Sequence, residues 1–145
     1  MNSVLEIAKK ILKKGTDNDS GELISNLKLQ KLLYYQQGYH LAMFDTPLFA
    51  DEFEAWMYGP VVPSVFELYK SNGRNGIEYS GEVVTLSADE EGLFNEVYDI
   101  YSRYSAFGLK DMTHNEMPWK STPTGRGNII SKDKIRDFFK TKIEE

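Results

Sequence analysis

The residue types that most often carry acid–base or metal chemistry are rare and scattered in this sequence. Its two histidines, His40 and His114, do not belong to a His-Glu-x-x-His arrangement. Two unclustered histidines supply too few ligands for a usual zinc site, so we predict that both are structural and that no metal binds. Glu116 lies two residues after His114, where a carboxylate could orient the imidazole as an acid–base pair. Without a nucleophile motif, an enzyme using this pair is the least favoured hypothesis.

Phosphate-binding loops and reactive thiols are absent from the sequence as well. Segments 73–76 and 125–127 each contain two glycines. Neither ends in the lysine and serine or threonine of a Walker loop, and neither has the spacing of a dinucleotide fingerprint, so we interpret both as turns. The chain has no cysteine, which excludes a thiolate nucleophile and cysteine-based zinc or iron–sulfur sites. We therefore predict no enzymatic activity and no cofactor.

Charge and hydropathy restrict the classes of partner and compartment. A net charge of −5 and a sequence pI near 5.1 disfavour nucleic acid and favour a basic protein partner. The local exception is a cluster of four lysines, which we predict to be the solvated face of a helix: Lys9, Lys10, Lys13 and Lys14. Because the N-terminus lacks a signal-peptide pattern and no run approaches the ~20 apolar residues of a membrane span, the sequence predicts a cytoplasmic protein without membrane contact.

The frame that positions these residues is predicted to be one mainly α domain. With 145 residues, 41% of them hydrophobic, the chain can bury one ordinary core. It shows no internal repeat and no linker, so we assign residues 1–145 to a single domain. Apolar residues recur at helical spacing far more often than they alternate. The expected fold is a compact single-domain helical fold of about five to six helices with at most a small β-sheet or hairpin.

The first third of the chain predicts two helices. One begins near Val4 and stops at Gly15, and a polar loop over residues 17–22 follows it. The other covers about residues 27–43 and has apolar residues around most of its circumference, which is typical of a central helix. Gly38 inside this helix lowers helix stability by about 0.5–1 kcal/mol relative to alanine. We therefore predict that a neighbouring helix approaches closely at Gly38.

The rest of the chain predicts four more helices and two short strands. The helices begin at proline or capping signals, or follow from apolar spacing: one at Pro63, one at the Ser87 capping box, one over about 106–112 and one after Ser131. The strands are predicted from alternation of apolar and polar residues within 48–57 and from the apolar segment 83–86.

Several of these segments together resemble one known family. They are Leu27-Lys28-Leu29-Gln30-Lys31-Leu32-Leu33-Tyr34-Tyr35, Gln37-Gly38, Pro47-Leu48-Phe49, Ala55-Trp56, Gly59-Pro60-Val61, Pro63, Thr113-His114 and Pro118-Trp119. In this order they resemble the Panacea domain, also called the SocA-like or phage-associated protein family. The resemblance is strongest over residues 24–119, and as a chain of ordered motifs it is more specific than any single piece.

The resemblance implies an antitoxin that neutralises a toxin by direct binding, with the toxin encoded by an adjacent gene. Families of this type often travel on prophages and other mobile elements, and the resemblance implies no enzymatic activity. An alternative that it also implies is a proteolytic adaptor that presents a toxin to a cytoplasmic protease. Some relatives carry an added helix-turn-helix domain, for which this sequence has no matching segment.

The motif residues divide into a structural and a partner-binding set. Those interpreted as structural are Leu29, Leu32, Leu33, Tyr35, Gly38, Gly59, Pro60, Pro63, Thr113, His114 and Pro118. Those interpreted as candidate partner contacts are Gln30, Lys31, Tyr34, Gln37, Trp56, Tyr58 and Trp119. Two alternatives stay open for the polar residues of the long helix, because a polar side chain on an apolar helix is either a buried hydrogen-bonding residue or a contact. For the tryptophans beside Gly-Pro or Pro, packing is slightly favoured over binding.

Overall fold

Helices make up most of the structure, a computed structural model that describes residues 1–18 and 22–143. These ranges contain seven α-helices: α1 (Val4–Thr16), α2 (Asn26–Phe44), α3 (Pro63–Tyr69), α4 (Ala88–Tyr101), α5 (Ala106–His114), α6 (Met117–Lys120) and α7 (Lys132–Ile143). The strands are β1 (Ile24–Ser25), β2 (Phe53–Trp56), β3 (Gly59–Val61), β4 (Gly76–Ile77) and β5 (Ile129–Ile130), and a short 3-10 helix follows α3. The mainly α prediction is confirmed, with seven helices rather than five to six. The unpredicted helix is α6, a single turn with a proline near its start.

The helix α2 lies at the centre of the fold and is buried on nearly all faces. It packs against α1, α3, α4, α5 and α7, so its buried residues surround the axis instead of forming one stripe. Leu29, Leu32, Leu33 and Tyr35 are all in the interior. Although α2 is the longest helix, neither it nor any other helix of the described residues is long and apolar enough to span a membrane.

Gly38 is a point of close approach between α2 and α7. A Cβ atom at this position would lie 2.2 Å from Cε2 of Phe139, far inside van der Waals contact. The ring of Phe139 is itself fully buried among Tyr34, Tyr35 and Tyr39. The predicted close approach of a neighbouring helix is therefore confirmed, and the missing side chain is what lets the aromatic ring pack there.

Gly38→Ala should lower the free energy of unfolding, even though alanine is the better helix former. Overpacking of a core costs about 1–3 kcal/mol, while the gain in helix propensity is about 0.5–1 kcal/mol, so a net loss is expected. Urea denaturation measures it. The matched control is Gly92→Ala in the interior of α4, where an added Cβ meets nothing within 4 Å. It should raise the unfolding free energy, and similar shifts in both variants would contradict the packing explanation.

The predicted helix starts agree with the capping geometry. Ser87 precedes α4 and forms a capping box with Glu90, in which Ser87 Oγ accepts from the Glu90 amide and the Ser87 amide donates to Glu90 Oε1, both at 3.3 Å. Pro63 is the first residue of α3. Ser131 precedes α7, and its Oγ accepts a 3.1 Å hydrogen bond from the amide of Lys134. These local signals predicted where three helices begin.

A three-stranded antiparallel sheet in the order β3-β2-β5 packs beside α2. β2 and β3 form a hairpin in which Trp56 pairs with Gly59, leaving Met57 and Tyr58 at its tip. The second sheet is the short antiparallel pair of β1 and β4. The extended segment predicted within 48–57 is confirmed by β2. The sequence predicted at most one small sheet or hairpin, and the structure has two small antiparallel sheets.

The strand predicted at 83–86 is wrong, because side chains rather than a neighbouring strand satisfy the backbone there. Lys10 Nζ donates to the carbonyl of Val84 at 2.8 Å, and the amide of Leu86 donates to Glu91 Oε1 at 2.9 Å. Lys10 itself is buried and pairs with Glu91 at 2.6 Å. The prediction that all four lysines of α1 form a solvated face is therefore wrong at Lys10.

Gly15 does not end α1 as predicted. The helix continues through it to Thr16, and a Cβ on Gly15 would lie 2.7 Å from Cδ1 of Ile24, so glycine is explained by packing rather than by helix termination. Asp17 then caps the helix. Of the loop predicted over 17–22, residues 19–21 lie outside the described residues.

Candidate functional site

Residues far apart in the sequence meet where α2, the β2–β3 hairpin and α5 come together. Lys31 of α2 is fully buried, and its Nζ donates a 2.9 Å hydrogen bond to the carbonyl oxygen of Pro60. Thr113 of α5 is also fully buried, and its hydroxyl donates to the carbonyl of Lys110 at 2.8 Å. Three motif segments thus form one packed junction.

Gly59 allows the hairpin to close over Lys31. Its φ of 109° lies in a region that residues with a side chain rarely adopt. A Cβ atom there would lie 2.6 Å from Cε of Lys31 and 2.9 Å from Oγ1 of Thr113. Both the backbone conformation and the available space at the junction therefore require glycine.

Lys31 is desolvated without a compensating carboxylate. No ion pair to it is found among the described residues, and burial lowers its pKa to about 7. A lysine that titrates near neutrality can act as a base or nucleophile in an open site. Lys31 has no exposed surface through which a substrate could reach it. The arrangement supports a role in the packed interior rather than in chemistry.

His114 holds α6 against the hairpin instead of forming an acid–base pair. Its ring stacks on Trp119 with a centroid distance of 3.9 Å and an angle of 10°. Trp119 in turn donates from Nε1 to the carbonyl of Trp56 at 2.8 Å. Burial is the largest cause of a lowered pKa at His114. Within the described ranges no hydrogen bond or ion pair joins His114 to Glu116, so the geometry does not support the proposed pair.

Glu116 belongs to a buried group of tyrosines. The hydroxyl of Tyr35 donates to Glu116 Oε2 at 3.0 Å, and the Tyr35 ring stacks on Tyr101 with centroids 4.0 Å apart. The Tyr34 hydroxyl and Glu116 Oε1 are buried in the same group, and Glu116 adds to the burial that raises the pKa of Tyr34 well above its ordinary value. Burial raises the pKa of Glu116 to about 7. A carboxyl group with this pKa is partly protonated at neutral pH, whereas an ordinary glutamate is fully ionised.

Two of the three glutamines of α2, Gln30 and Gln37, are internal cross-links. Gln30 Oε1 accepts from the amide of Val62 at 2.9 Å, and its Nε2 donates to Asn26 at 3.0 Å. Gln37 donates to the carbonyl of Phe49 at 2.8 Å and accepts from the amide of Leu48 at 2.7 Å. Each glutamine satisfies backbone groups of the chain that follows α2, which would otherwise be buried without partners.

The interpretation of the α2 polar residues as partner contacts is therefore corrected. Gln30, Lys31, Tyr34 and Gln37 are all essentially inaccessible, and a side chain without exposed surface cannot contact a partner in this conformation. Of the two alternatives left open by the sequence, the structure places all four residues in the buried one. Pro118 of the motif also has an internal position, since it is buried and its carbonyl accepts from Thr122 at 2.8 Å.

The exposed part of the junction is an apolar surface at the hairpin tip. Met57 and Tyr58 are 67% and 54% exposed, and Phe107 at the start of α5 is 60% exposed. Lys110 connects them, because its Nζ lies 5.9 Å from the Tyr58 ring centroid and 5.1 Å from that of Phe107. We refer to Met57, Tyr58, Phe107 and Lys110 as the hairpin-tip surface. Of the predicted contacts, Tyr58 is its exposed member.

A small apolar cavity opens beside this surface. Its volume is about 160 Å³, and it is lined by Leu27, Gln30, Trp56, Met57, Tyr58, Val61 and Phe66. Half-buried Trp56 forms one wall, packed on Phe66 with ring centroids 5.1 Å apart and covered by the Arg126 guanidinium at 4.2 Å. A cavity of about 150 Å³ is large enough for a benzene ring. This one can therefore take one apolar side chain.

Sequence reasoning missed Met57, Phe107 and Lys110. The family-like segments do not include them, so the resemblance gave no signal. A physical signal exists at Phe107, which does not share the buried face that contains Leu109 and Thr113 in α5. A large aromatic residue off the buried face of a short helix becomes a signal of an interaction surface when other exposed apolar side chains lie beside it.

Comparison with known proteins gives two matches. A family model described as "Antitoxin SocA-like, Panacea domain" matches residues 29–120, which include most of α2 and all of the hairpin, α5 and α6. The Antitoxin SocA of Caulobacter vibrioides (strain NA1000 / CB15N) is 50% identical over 50 residues, which is 34% of this chain and 27% of that protein. The match thus spans just over a quarter of that relative's length. No solved structure matches the chain significantly.

Proposed function

This chain belongs to the SocA-like antitoxin family with a Panacea domain, and from that premise we propose that it neutralises a protein toxin by binding it directly through the hairpin-tip surface. The observation that carries the site is a cluster of three large exposed apolar side chains beside an apolar cavity. Contiguous exposed apolar surface with an adjacent pocket is typical of interaction sites and of their hot spots.

The buried junction supports this proposal by giving the surface a rigid base. Lys31 binds the hairpin, Gly59 lets it close, and the His114–Trp119 stack fixes α6 against it. A surface whose supporting side chains are already ordered loses less conformational entropy on binding. We therefore assign the motif residues to positioning the surface and the exposed residues to contact.

The partner that we propose is a toxin encoded by an adjacent gene and met in the cytoplasm. Effective neutralisation needs nanomolar affinity, about 12 kcal/mol, over an interface of about 1,600 Å². That area is larger than the hairpin-tip surface alone, so surrounding residues must contribute. The net charge of −5 favours association with a basic toxin.

Titration of the purified protein against the product of the neighbouring gene tests the proposal. Inhibition should saturate near one molecule per toxin, with the toxin chemically unchanged and undegraded. Rescue in cells that requires an intact cytoplasmic protease and shortens the toxin half-life would instead establish the adaptor alternative. Rescue by trace amounts, abolished by His114→Ala in a protein of unchanged melting temperature, would establish an enzyme and overturn stoichiometric binding.

A further inference from the structure

A second concave surface lies between the C-terminal turn of α2 and the first half of α4. The groove has a volume of about 560 Å³ and shares no lining residue with the hairpin-tip cavity. Its lining consists of Met43, Phe44, Ala88, Asp89, Gly92, Leu93 and Glu96. The two helices are held together beside it, since His40 of α2 binds Glu90 of α4 at 2.6 Å. The groove is therefore preformed.

The groove combines an apolar floor with an acidic rim. Met43, Phe44 and Leu93 supply the floor, and Met43 is 51% exposed. Asp89 and Glu96 supply the rim, both exposed and without an ion pair in the part of the chain that the structure describes. None of the described lysines and arginines lines the groove. The two carboxylates are seven positions apart, or about 10 Å along a helix, so they can face two cations on one partner segment.

Gly92 is an independent observation that points to a ligand. It lies exposed in the interior of α4, where glycine is less stable than alanine by about 1 kcal/mol. A Cβ atom at this position would meet nothing within 4 Å. Packing within the fold therefore does not require glycine at this position. A groove-lining position that carries no side chain is explained if the backbone of another molecule approaches α4 there.

From these observations we infer that the groove binds a basic amphipathic helical segment of the toxin, with an apolar side chain on Met43 and Leu93 and cations on Asp89 and Glu96. That the segment belongs to the toxin rests on the proposed function. Charge complementarity selects the class of occupant, because an acidic rim without cations repels an acidic segment and attracts a basic one. The groove would supply interface area that the hairpin-tip surface lacks.

The probe for the groove itself is a labelled model peptide of about 15 leucine and lysine residues at helical spacing, long enough to form a marginal helix. Fluorescence anisotropy should show saturable binding that weakens as salt is raised. The same peptide with glutamate in place of every lysine should not bind. Absence of saturable binding of the lysine peptide to the intact protein would overturn the inference.

Three variants locate the binding. Asp89→Lys/Glu96→Lys should weaken peptide binding at least tenfold, and Gly92→Gln should do the same while leaving the unfolding midpoint unchanged or higher. The matched control, Glu78→Lys/Glu82→Lys, makes the same change of net charge at exposed loop positions outside the groove. Equal loss of binding in the control pair, or unchanged binding in Gly92→Gln, would show that the peptide follows net charge rather than the groove.

The toxin separates the two proposals. If the toxin binds and Tyr58→Ala weakens the complex while the groove variants leave it unchanged, the groove inference fails and the proposed function stands. If the lysine peptide binds the intact protein but the toxin does not, the proposed function fails. The basic segment that the groove binds would then not belong to the toxin. Loss of toxin affinity in both sets of variants supports both.

Discussion

The free energy of unfolding should fall as the pH rises from about 4.5 to about 7 and should rise again between about 7 and about 9, below the range in which the tyrosines whose pKa burial raises act in the opposite direction. Two buried groups of the junction produce this minimum, Glu116 and Lys31, whose pKa values both lie at about 7 in the folded protein. Proteins are usually most stable in the range from about pH 5 to 8. A minimum near neutrality would therefore be a distinctive property of this domain.

The acid side of the minimum comes from Glu116. Its pKa is raised from an ordinary 4.5 to about 7, chiefly by burial, so its contribution to stability is fully present below pH 4.5 and is lost as the pH rises through 7. The difference corresponds to about 3 kcal/mol. The lowered pKa of His114 acts in the opposite direction, because its contribution is lost as the pH falls below 6.5. His114 therefore makes the fall in the free energy of unfolding between about pH 4.5 and 7 smaller.

The alkaline side comes from Lys31. Burial lowers its pKa from 10.5 to about 7, so its contribution is fully present above pH 10.5 and is lost as the pH falls through 7. The difference corresponds to about 5 kcal/mol, which is large against a typical stability of about 5–15 kcal/mol. Lys28, whose pKa is also lowered mainly by burial, contributes in the same direction.

Urea denaturation at pH 5, 7 and 9 measures the effect, and two variants assign it. Glu116→Gln should flatten the acid side, and Lys31→Met should flatten the alkaline side, although the latter leaves the Pro60 carbonyl without its donor at a cost of about 1–3 kcal/mol. Lys120→Met changes an exposed lysine and should preserve the minimum. A stability that rises monotonically from pH 5 to 7 and is flat to pH 9 would show that neither group is desolvated as described.

The sequence predicted the helices and where they begin because the signals for them are local. Capping at Ser87, proline at the start of α3 and apolar spacing in α2 each act within a few residues, and each agrees with the structure. Gly38 carried longer-range information, since its missing side chain indicated a close neighbour that proved to be Phe139. What these signals do not contain is the identity of the facing element.

The candidate site was less predictable because burial of a polar residue depends on tertiary partners. Gln37 donates a hydrogen bond to the carbonyl of Phe49, 12 residues away, and Lys31 donates one to the carbonyl of Pro60, 29 residues away. These distant backbone acceptors are what allow both polar side chains to be buried. No pattern within α2 distinguishes such cross-links from surface contacts. Likewise, Phe107 and Tyr58 become neighbours only when α5 packs against the hairpin through Lys110. The surface is therefore a product of the fold.

Tyr58→Ala should weaken the complex with the toxin by about 2 kcal/mol or more, or about 30-fold in Kd, if the hairpin-tip surface is the binding site. Tyr58 is 54% exposed and also lines the apolar cavity, so truncation removes a large contact and alters the pocket beside it. The Tyr58 side chain lies at the hairpin tip and is not part of the buried core. The folded monomer should therefore lose little stability, and the melting temperature should stay within experimental scatter.

A matched control removes an equally exposed apolar side chain elsewhere. Leu68 on α3 is also 54% exposed and does not line the cavity, so Leu68→Ala should leave Kd within about twofold, since surface substitutions away from a hot spot are nearly neutral. Calorimetric titration of the neighbouring gene product into each variant measures Kd and stoichiometry together. Because Tyr58→Phe keeps the ring, it should retain most of the affinity lost in Tyr58→Ala. Equal affinities for Tyr58→Ala, Leu68→Ala and the unmodified protein would place the toxin on a different face of the domain.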